Sequence, residues 1–183
     1  MAKSLDIVVT GLDKIIQKLA AYPTAAKAAI GRGLKAGALV LVREVKETIY
    51  LGHAQGHLQG DKGLLRNSIT WRVDEGASEA QVGTNVIYAP IHEFGGTIRP
   101  KGHPYLAIPI GTYKGWPRTH NDLHIIQSEG GNPLLADPSG KPQYVLRREV
   151  TIPPRPYLKP AIDNKGAEAA AQITNALYEV LRP

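Results

Sequence analysis

The residues best suited to chemistry stand side by side in the segment Asn85–Gly96, where His92 precedes Glu93. A histidine beside a carboxylate can act as a metal ligand or as a general base. A zinc-binding helix of the type His-Glu-x-x-His needs a second histidine at position 96, but that residue is Gly96. Adjacent residues of a helix also point in different directions, so His92 and Glu93 cannot both face one ligand. The pair therefore predicts a structural role.

In that structural role, one polar side chain of the segment makes a specific contact while the apolar ones form core. Glu93 or His92 is expected to reach a backbone group or a partner arginine. Gly95 and Gly96 permit positive φ angles and end the turn. The side chains that we expect to pack inward are Tyr88, Ile91 and Phe94.

A second candidate site is the pair His120 and His124, four residues apart with Asp122 between them. On a helix this spacing could bind zinc. The flanking residues instead favour a loop that runs into a strand, and no third ligand is identifiable nearby. His53 and His57 share the spacing, but glycines surround them and we expect them to be solvated.

Other catalytic patterns are missing from the sequence. The chain has no cysteine, which excludes disulfides, thiol nucleophiles and Cys-ligated zinc. It has no Gly-x-Ser-x-Gly or Ser-x-x-Lys pattern and no phosphate-binding glycine loop. We therefore predict that the protein is not an enzyme and has no cofactor. A metal-dependent hydrolase that uses His92, His120 and His124 stays an alternative.

Arg155 lies in a second unusual segment, Thr151–Ala161, between Pro154 and Pro156. Proline fixes φ near −65°, so the segment presents Arg155 from a stiff backbone. Its guanidinium can bind a carboxylate through two hydrogen bonds at low entropic cost. Glu93 of the same or a neighbouring subunit is the hypothetical partner. A rigid connector within one subunit is the alternative, and both interpretations predict a scaffold.

The densest basic stretch comprises Arg147 and Arg148, with Lys141 nearby. These three side chains could contact the phosphates of a nucleic acid, independently of base sequence. More commonly such residues form a solvated strand face. The formal net charge of +6 is spread along the chain, so a basic nucleic-acid-binding module stays an alternative function.

Helical and strand patterns indicate the elements that position these residues. A short helical pattern, Leu12 to Leu19, ends at Tyr22-Pro23, and apolar residues from Ala26 to Ile49 then predict a long helix to about Tyr50. Gly31, Gly33 and Gly37 each weaken this helix, but small residues on one face would let another backbone approach. We therefore expect the helix to pack against a sheet or a neighbouring subunit, and a locally kinked helix is the alternative. Alternation in Ser68–Asp74 and the return at Ala80–Gly83 predict a hairpin, after a loop at Leu51–Gly63.

The C-terminal half predicts a β-rich extension followed by a helix. The extension covers residues 97–150, and Asp137–Gly140 predicts a turn. Its strand-like runs are Tyr105–Ile110, Leu123–Gln127, Pro133–Ala136 and Tyr144–Ile152. Apolar residues from Leu158 to Leu181 predict a C-terminal helix that docks beside the long first one. We predict one α+β domain over residues 1–183, with both helices packed on an antiparallel sheet. No run is apolar enough to span a bilayer, and the N-terminus lacks a signal-peptide core.

The two segments together resemble the signature of the phage virion morphogenesis family, the tail completion proteins of Mu-like phages. The matching residues are Tyr88-Ala-Pro-Ile-His-Glu-Phe-Gly-Gly96 and Ile152-Pro-Pro-Arg-Pro-Tyr-Leu158, and Leu64-Leu-Arg66 resembles the family's lead-in to the hairpin. The resemblance implies a virion protein of the tail or neck, assembled in the bacterial cytoplasm. It also implies head–tail joining by a homo-oligomeric ring, commonly sixfold, which contacts tail tube, terminator and connector proteins and no membrane.

In such a ring the two segments would supply contacts to neighbouring subunits or partners. The expected interface residues are Tyr88, His92, Glu93, Phe94, Arg155, Pro156, Tyr157 and Leu158. Arg147, Arg148 and Lys141 could face DNA that passes through the channel of such a ring.

Overall fold

The computed structural model describes residues 5–9, 24–51, 63–74, 76, 79–113 and 115–181. The predicted helix before Pro23 and most of the predicted loop before Gly63, with His53 and His57, lie outside these ranges. The chain divides into two compact units. The first comprises Met1–Gly95 and Pro154–Pro183, and the second comprises Gly96–Pro153.

The first unit combines helices with a small sheet. Its elements are β1 (Leu5–Val9), α1 (Thr24–Leu51), α2 (Leu64–Ser68), β2 (Thr70–Val73), β3 (Ala80–Thr84), α3 (Ala89–Phe94) and α4 (Leu158–Leu181). Long helices α1 and α4 with antiparallel strands confirm the predicted α+β class.

Helices α1 and α4 pack closely because two glycines of α1 lie against the backbone of α4. A Cβ atom on Gly33 would lie 2.5 Å from the Cα of Ile173, and one on Gly37 would lie 2.5 Å from the carbonyl oxygen of Ala169. The predicted close approach of another backbone is confirmed, but at Gly33 and Gly37 the partner is the C-terminal helix of the same chain and not a sheet or a neighbouring subunit. The α1 side chains in the core include Ala29, Ile30, Leu34, Leu41 and Val45.

The sheet of the first unit has the strand order β1-β3-β2, and both pairings are antiparallel. The predicted hairpin is confirmed, with Trp71 opposite Val82. Ile69, Ala80 and Val82 are buried in the same core as the helices. Strand β1 was not predicted, and it pairs with β3 so that Ile7 also lies opposite Val82.

The second unit is built of β-strands, as predicted for the extension. Its strands are β4 (Gly96–Ile98), β5 (Leu106–Pro109), β6 (His124–Gln127), β7 (Pro133–Ala136), β8 (Pro142–Arg147) and β9 (Val150–Ile152). One antiparallel sheet has the order β5-β8-β7-β6, and β4 pairs with β9. The run predicted at Tyr144–Ile152 is interrupted at Arg148-Glu149, where the chain passes from one sheet to the other.

The predicted turn at Asp137–Gly140 is held by one carboxylate. Oδ1 of Asp137 accepts hydrogen bonds from the amides of Ser139 and Lys141 and from the Ser139 hydroxyl. Oδ2 accepts the side-chain amide of Gln143, which is fully buried. These bonds lower the pKa of Asp137, the Ser139 hydroxyl contributing most. The turn fixes the start of β8.

Candidate functional site

The predicted segments Asn85–Gly96 and Thr151–Ala161 meet through one buried carboxylate. The side chain of Glu93, only 6% exposed, reaches the start of α4. Its Oε2 accepts the amides of Tyr157 at 2.7 Å and Leu158 at 2.9 Å, and its Oε1 accepts the amide of Lys159 at 3.0 Å. Glu93 therefore caps a helix that begins 65 residues later in the chain.

Helix α4 needs this distant cap because its own sequence supplies none. The first amides of any helix lack intrahelical acceptors, and a local Ser, Thr, Asp or Asn normally accepts one of them. Here the residue before Leu158 is Tyr157, and the first turn contains no acidic residue. Pro160 has no N–H, so the amides of Tyr157, Leu158 and Lys159 are the ones that require acceptors. The negative charge of Glu93 also lies favourably at the positive end of the helix dipole.

Tyr157 makes a second contact between α3 and the start of α4, and we call this junction the Glu93 joint. Its side chain is buried, and its hydroxyl donates a hydrogen bond to the carbonyl of Ala89, at 3.4 Å. Burial, followed by the charge of Glu93, raises the pKa of the Tyr157 phenol above its ordinary value. Tyr157 and Glu93 thus bind α3 to the start of α4 by two different groups.

His92 lies beside the joint and contributes backbone and ring contacts. Its carbonyl accepts the amide of Arg155 at 2.7 Å, and its ring meets Tyr88 edge to face at 5.7 Å. Burial and the nearby charge of Arg155 lower the pKa of His92. Its buried Nδ1 has no hydrogen-bond partner in the structure. The imidazole is therefore neutral at pH 7, which suits packing.

Helix α3 exposes the face that we expected to be buried. Ala89 and Glu93 point inward, whereas Tyr88 is 43% exposed, Phe94 is 68% exposed and Ile91 is only partly buried. The prediction that Tyr88 and Phe94 pack inward is wrong. Because the inward face of this six-residue helix is set by the Glu93 cap, its aromatic residues turn outward. Ile87, 85% exposed, extends the same surface.

The expected interface residues fall into two groups. Glu93, Tyr157 and Leu158 are buried within the chain, where they hold α3 and α4 together. Tyr88, Phe94 and Pro156 are exposed, and His92 and Arg155 are partly so. Among the residues that the structure describes, the Arg155 guanidinium makes no ion pair, and both carboxylate oxygens of Glu93 bond to amides. The hypothetical Glu93–Arg155 pair is not formed within one chain.

The three basic residues of the possible DNA contact are all exposed but do not form one cluster. Arg147 donates to the side-chain oxygen of Asn132 at 3.3 Å, and the Arg148 guanidinium lies 6.0 Å from the ring centre of Tyr105. Lys141 precedes the other end of β8, about 20 Å from Arg147 at 3.4 Å per residue. Only Arg147 and Arg148 lie close together.

The histidines considered for a metal make other contacts. The His120 ring lies 4.6 Å from the ring of Tyr113, whose hydroxyl donates to Asp122 at 2.6 Å. That hydrogen bond is the main cause that raises the pKa of Tyr113 to about 12. Within the described ranges, no group of three or more His, Asp or Glu side chains is placed to hold a metal ion.

Two features of this site were not predicted from the sequence. The cap was predicted only as a contact of Glu93 or His92 with an unspecified backbone group. The clue to the partner of Glu93 is the start of α4, which has Tyr157 and Pro160 where a capping residue is usual. The exposed apolar surface carried a weaker clue. Ile87, Ile91 and Phe94 recur at steps of four and three, a pattern that fits outward anchors as well as core.

Comparison with known families gives one match, which includes α1, the β2–β3 hairpin and α3. Residues 13–95 match the family model described as "Bacteriophage HK97-gp10, putative tail-component". No curated protein and no solved structure matches the chain. In the described part of the chain, no helix is long and apolar enough to cross a membrane. The matched residues include the first of the two segments, Tyr88–Gly95, but not Ile152–Leu158, and the match is consistent with a phage tail or neck family.

Proposed function

We propose that this protein is a structural component of a phage virion that completes the tail and joins it to the head at the neck. The observation that carries this proposal is the family match over residues 13–95, which ends at the Glu93 joint and its exposed apolar surface. The protein acts by binding other virion proteins and catalyses no reaction. It is made in the bacterial cytoplasm and is retained in the virion.

The partner-binding surface consists of Ile87, Tyr88 and Phe94, which we call the α3 surface. Large apolar side chains at 43–85% exposure are costly to leave in water and are typical anchors of protein interfaces. The Glu93 cap and the buried Tyr157 keep α3 rigid, so little conformational freedom is lost on binding. The partners are tail tube, terminator or connector proteins, and further copies of this chain in a ring.

Contact with DNA in the channel of that ring is the second part of the proposal. Arg147 and Arg148 are exposed neighbours in the second unit, and the chain carries a net charge of +6. Such contacts involve phosphates, so they weaken steeply with salt and ignore base sequence. Replacement of Arg147 and Arg148 by Gln should reduce DNA retention at low salt. Retention that survives about 0.2 M salt would instead favour a dedicated nucleic-acid-binding module.

Imaging of the purified protein tests the proposal directly. Mass photometry and negative-stain microscopy are expected to give closed rings, alone or after addition of purified tails. The α3 surface variant Phe94→Asp should keep its fold but lose tail binding. A protein that stays monomeric and ignores tails, or one that binds zinc stoichiometrically and melts earlier with a chelator, would contradict the proposal.

A further inference from the structure

The four-stranded sheet of the second unit has two edge strands whose directions suit pairing between copies. In the order β5-β8-β7-β6 every neighbouring pair is antiparallel, so the edge strands β5 and β6 run in opposite directions. A second sheet placed alongside in the same orientation would set its β5 antiparallel to the first β6. An even number of strands therefore lets the sheet continue from copy to copy.

The backbone groups at both edges are arranged for such a ladder. The amide of Ser128 bonds to the carbonyl of Asn132, and hydrogen-bonded positions alternate along an antiparallel strand, so Ile125 and Gln127 direct their N–H and C=O groups away from β7. By the same alternation, the bond from Ile110 to Gln143 leaves Ala107 and Pro109 facing away from β8. Pro109 offers only its carbonyl.

Cross-strand rows of apolar residues define the register of this pairing. The pairings give two rows across the sheet, Ile108–Val145–Leu134–Ile126 and Pro109–Tyr144–Leu135–Ile125. If Ile126 lies opposite Ile108 of the next copy, both rows continue across the junction. This register also places Gln127 opposite Ala107, so that their outward N–H and C=O groups meet. Ile125, which is 69% exposed in one copy, would be covered by Pro109 of the next copy.

Charges at the two edges are complementary in the same register. Glu129 lies two residues after β6, is exposed and has no ion pair among the described residues. Glu129 begins the turn that joins β6 to β7, so the pairing brings this turn beside Tyr105 of the next copy, and the Arg148 guanidinium lies 6.0 Å from the centre of that tyrosine ring. An acidic group therefore meets a basic group at the end of the ladder, which fixes direction as well as register.

We propose that β6 of one copy pairs antiparallel with β5 of the next copy, with Gln127 opposite Ala107 and Glu129 facing Arg148. The contact is heterologous, because different surfaces meet, and heterologous contacts are the type from which rings are built. The inference rests on the proposed self-assembly and names the strands that would form it.

Disulfide cross-linking tests the register, because the natural chain contains no cysteine. Ala107→Cys and Gln127→Cys are made as separate variants. In a hydrogen-bonded antiparallel pair the Cα atoms lie about 5.5 Å apart, within the range of a disulfide. Within one chain the two edges are three strand spacings, about 14 Å, apart, so the cross-link cannot form there. Mild oxidation of the mixed variants should give a covalent dimer containing one chain of each.

Four further variants test the ladder and leave the fold of the sheet intact. Gln127→Pro deletes an N–H that points away from β7 and should abolish assembly, whereas Gln127→Ala should leave assembly unchanged. Glu129→Arg should weaken assembly, and addition of Arg148→Glu should restore it. Thermal unfolding of each variant checks that the sheet is intact.

The outcomes separate this inference from the proposed function. Rings that persist in Gln127→Pro, with no mixed cross-link, would overturn the edge pairing while the ring proposal stands. A cross-link in Gln127→Cys alone would indicate a symmetric β6–β6 contact and would also overturn it. A natural chain that is monomeric alone and with tails would count against both.

Discussion

The carboxylate of Glu93 and the amide of Tyr157 lie 2.7 Å apart although 64 residues separate them in the chain. This bond, with those to Leu158 and Lys159, ties the only short helix of the first signature segment to the first turn of the C-terminal helix. The two segments that carry the resemblance are therefore two halves of one joint. The carboxylate of Glu93 stabilises the fold, and the neighbouring aromatic side chains of Tyr88 and Phe94 are exposed.

Removal of the Glu93 cap should strongly destabilise the first unit. Glu93→Ala leaves three amides, two of them buried, without acceptors, and we expect a loss of about 2–4 kcal/mol in the free energy of unfolding. Glu93→Gln keeps one oxygen acceptor but no charge, so its loss should be smaller. Urea denaturation measures both. Glu168→Ala, which removes an exposed carboxylate from α4, is the control and should change stability by less than about 0.5 kcal/mol. Equal stability of Glu93→Ala and the control would refute the capping role.

The close contact between α1 and α4 predicts opposite effects on stability for alanine substitutions at Gly37 and at Gly166. Glycine-to-alanine changes normally stabilise a helix by up to about 1 kcal/mol. At Gly37 the new methyl group would lie 2.5 Å from a carbonyl oxygen of α4, so we expect Gly37→Ala to destabilise. At Gly166 the nearest atom is 3.4 Å away, a side-chain carbon of Ile162, so Gly166→Ala should stabilise. Thermal unfolding gives both signs, and a stabilised Gly37→Ala would contradict the close packing.

Much of this fold was predictable from the sequence because apolar residues recur at regular intervals along its helices and strands. The apolar steps of α1 and α4, the alternation of the β2–β3 hairpin and the glycines at 33 and 37 are local signals. Strands β1 and β4 were missed because short strands depend on their partners, β3 and β9, which the local sequence does not reveal. The predicted orientation of α3 was wrong for the same reason. Apolar spacing suggested that Phe94 is buried, whereas a contact between Glu93 and a helix start 65 residues away decides which face turns inward.

His92 should make the protein less stable in mild acid. Its pKa is lowered in the folded state from the ordinary value of 6.5, so the folded state favours the neutral ring. Its contribution to stability is complete above pH 6.5 and is lost as the pH falls toward the lowered pKa, because the unfolded chain takes up the proton first. His92→Gln should reduce the loss of stability between neutral and mildly acidic pH. An NMR titration that gives His92 a pKa above 6.5 would reverse the sign and refute this prediction.

The α3 surface should matter for partner binding and not for folding. Phe94→Ala and Ile87→Ser remove exposed groups, so their unfolding free energies should stay within about 0.5 kcal/mol of the natural chain. Their affinity for tails should fall at least tenfold, since anchors of this type are each worth about 1–4 kcal/mol. Tyr178→Ala, a change of an exposed aromatic residue on α4, is the matched control. Equal tail binding by all three variants would place the interface elsewhere.

An assay of head–tail joining in vitro tests whether the protein completes the tail. Phage particles are produced with a stop codon in the gene for this chain, and the extract is examined by electron microscopy and infectivity assay before and after the purified protein is added. We expect filled heads and separate tails at first, then joined infectious particles after addition of the natural chain, with little joining by Phe94→Asp. Joined, infectious particles formed in the complete absence of the protein would contradict this expectation.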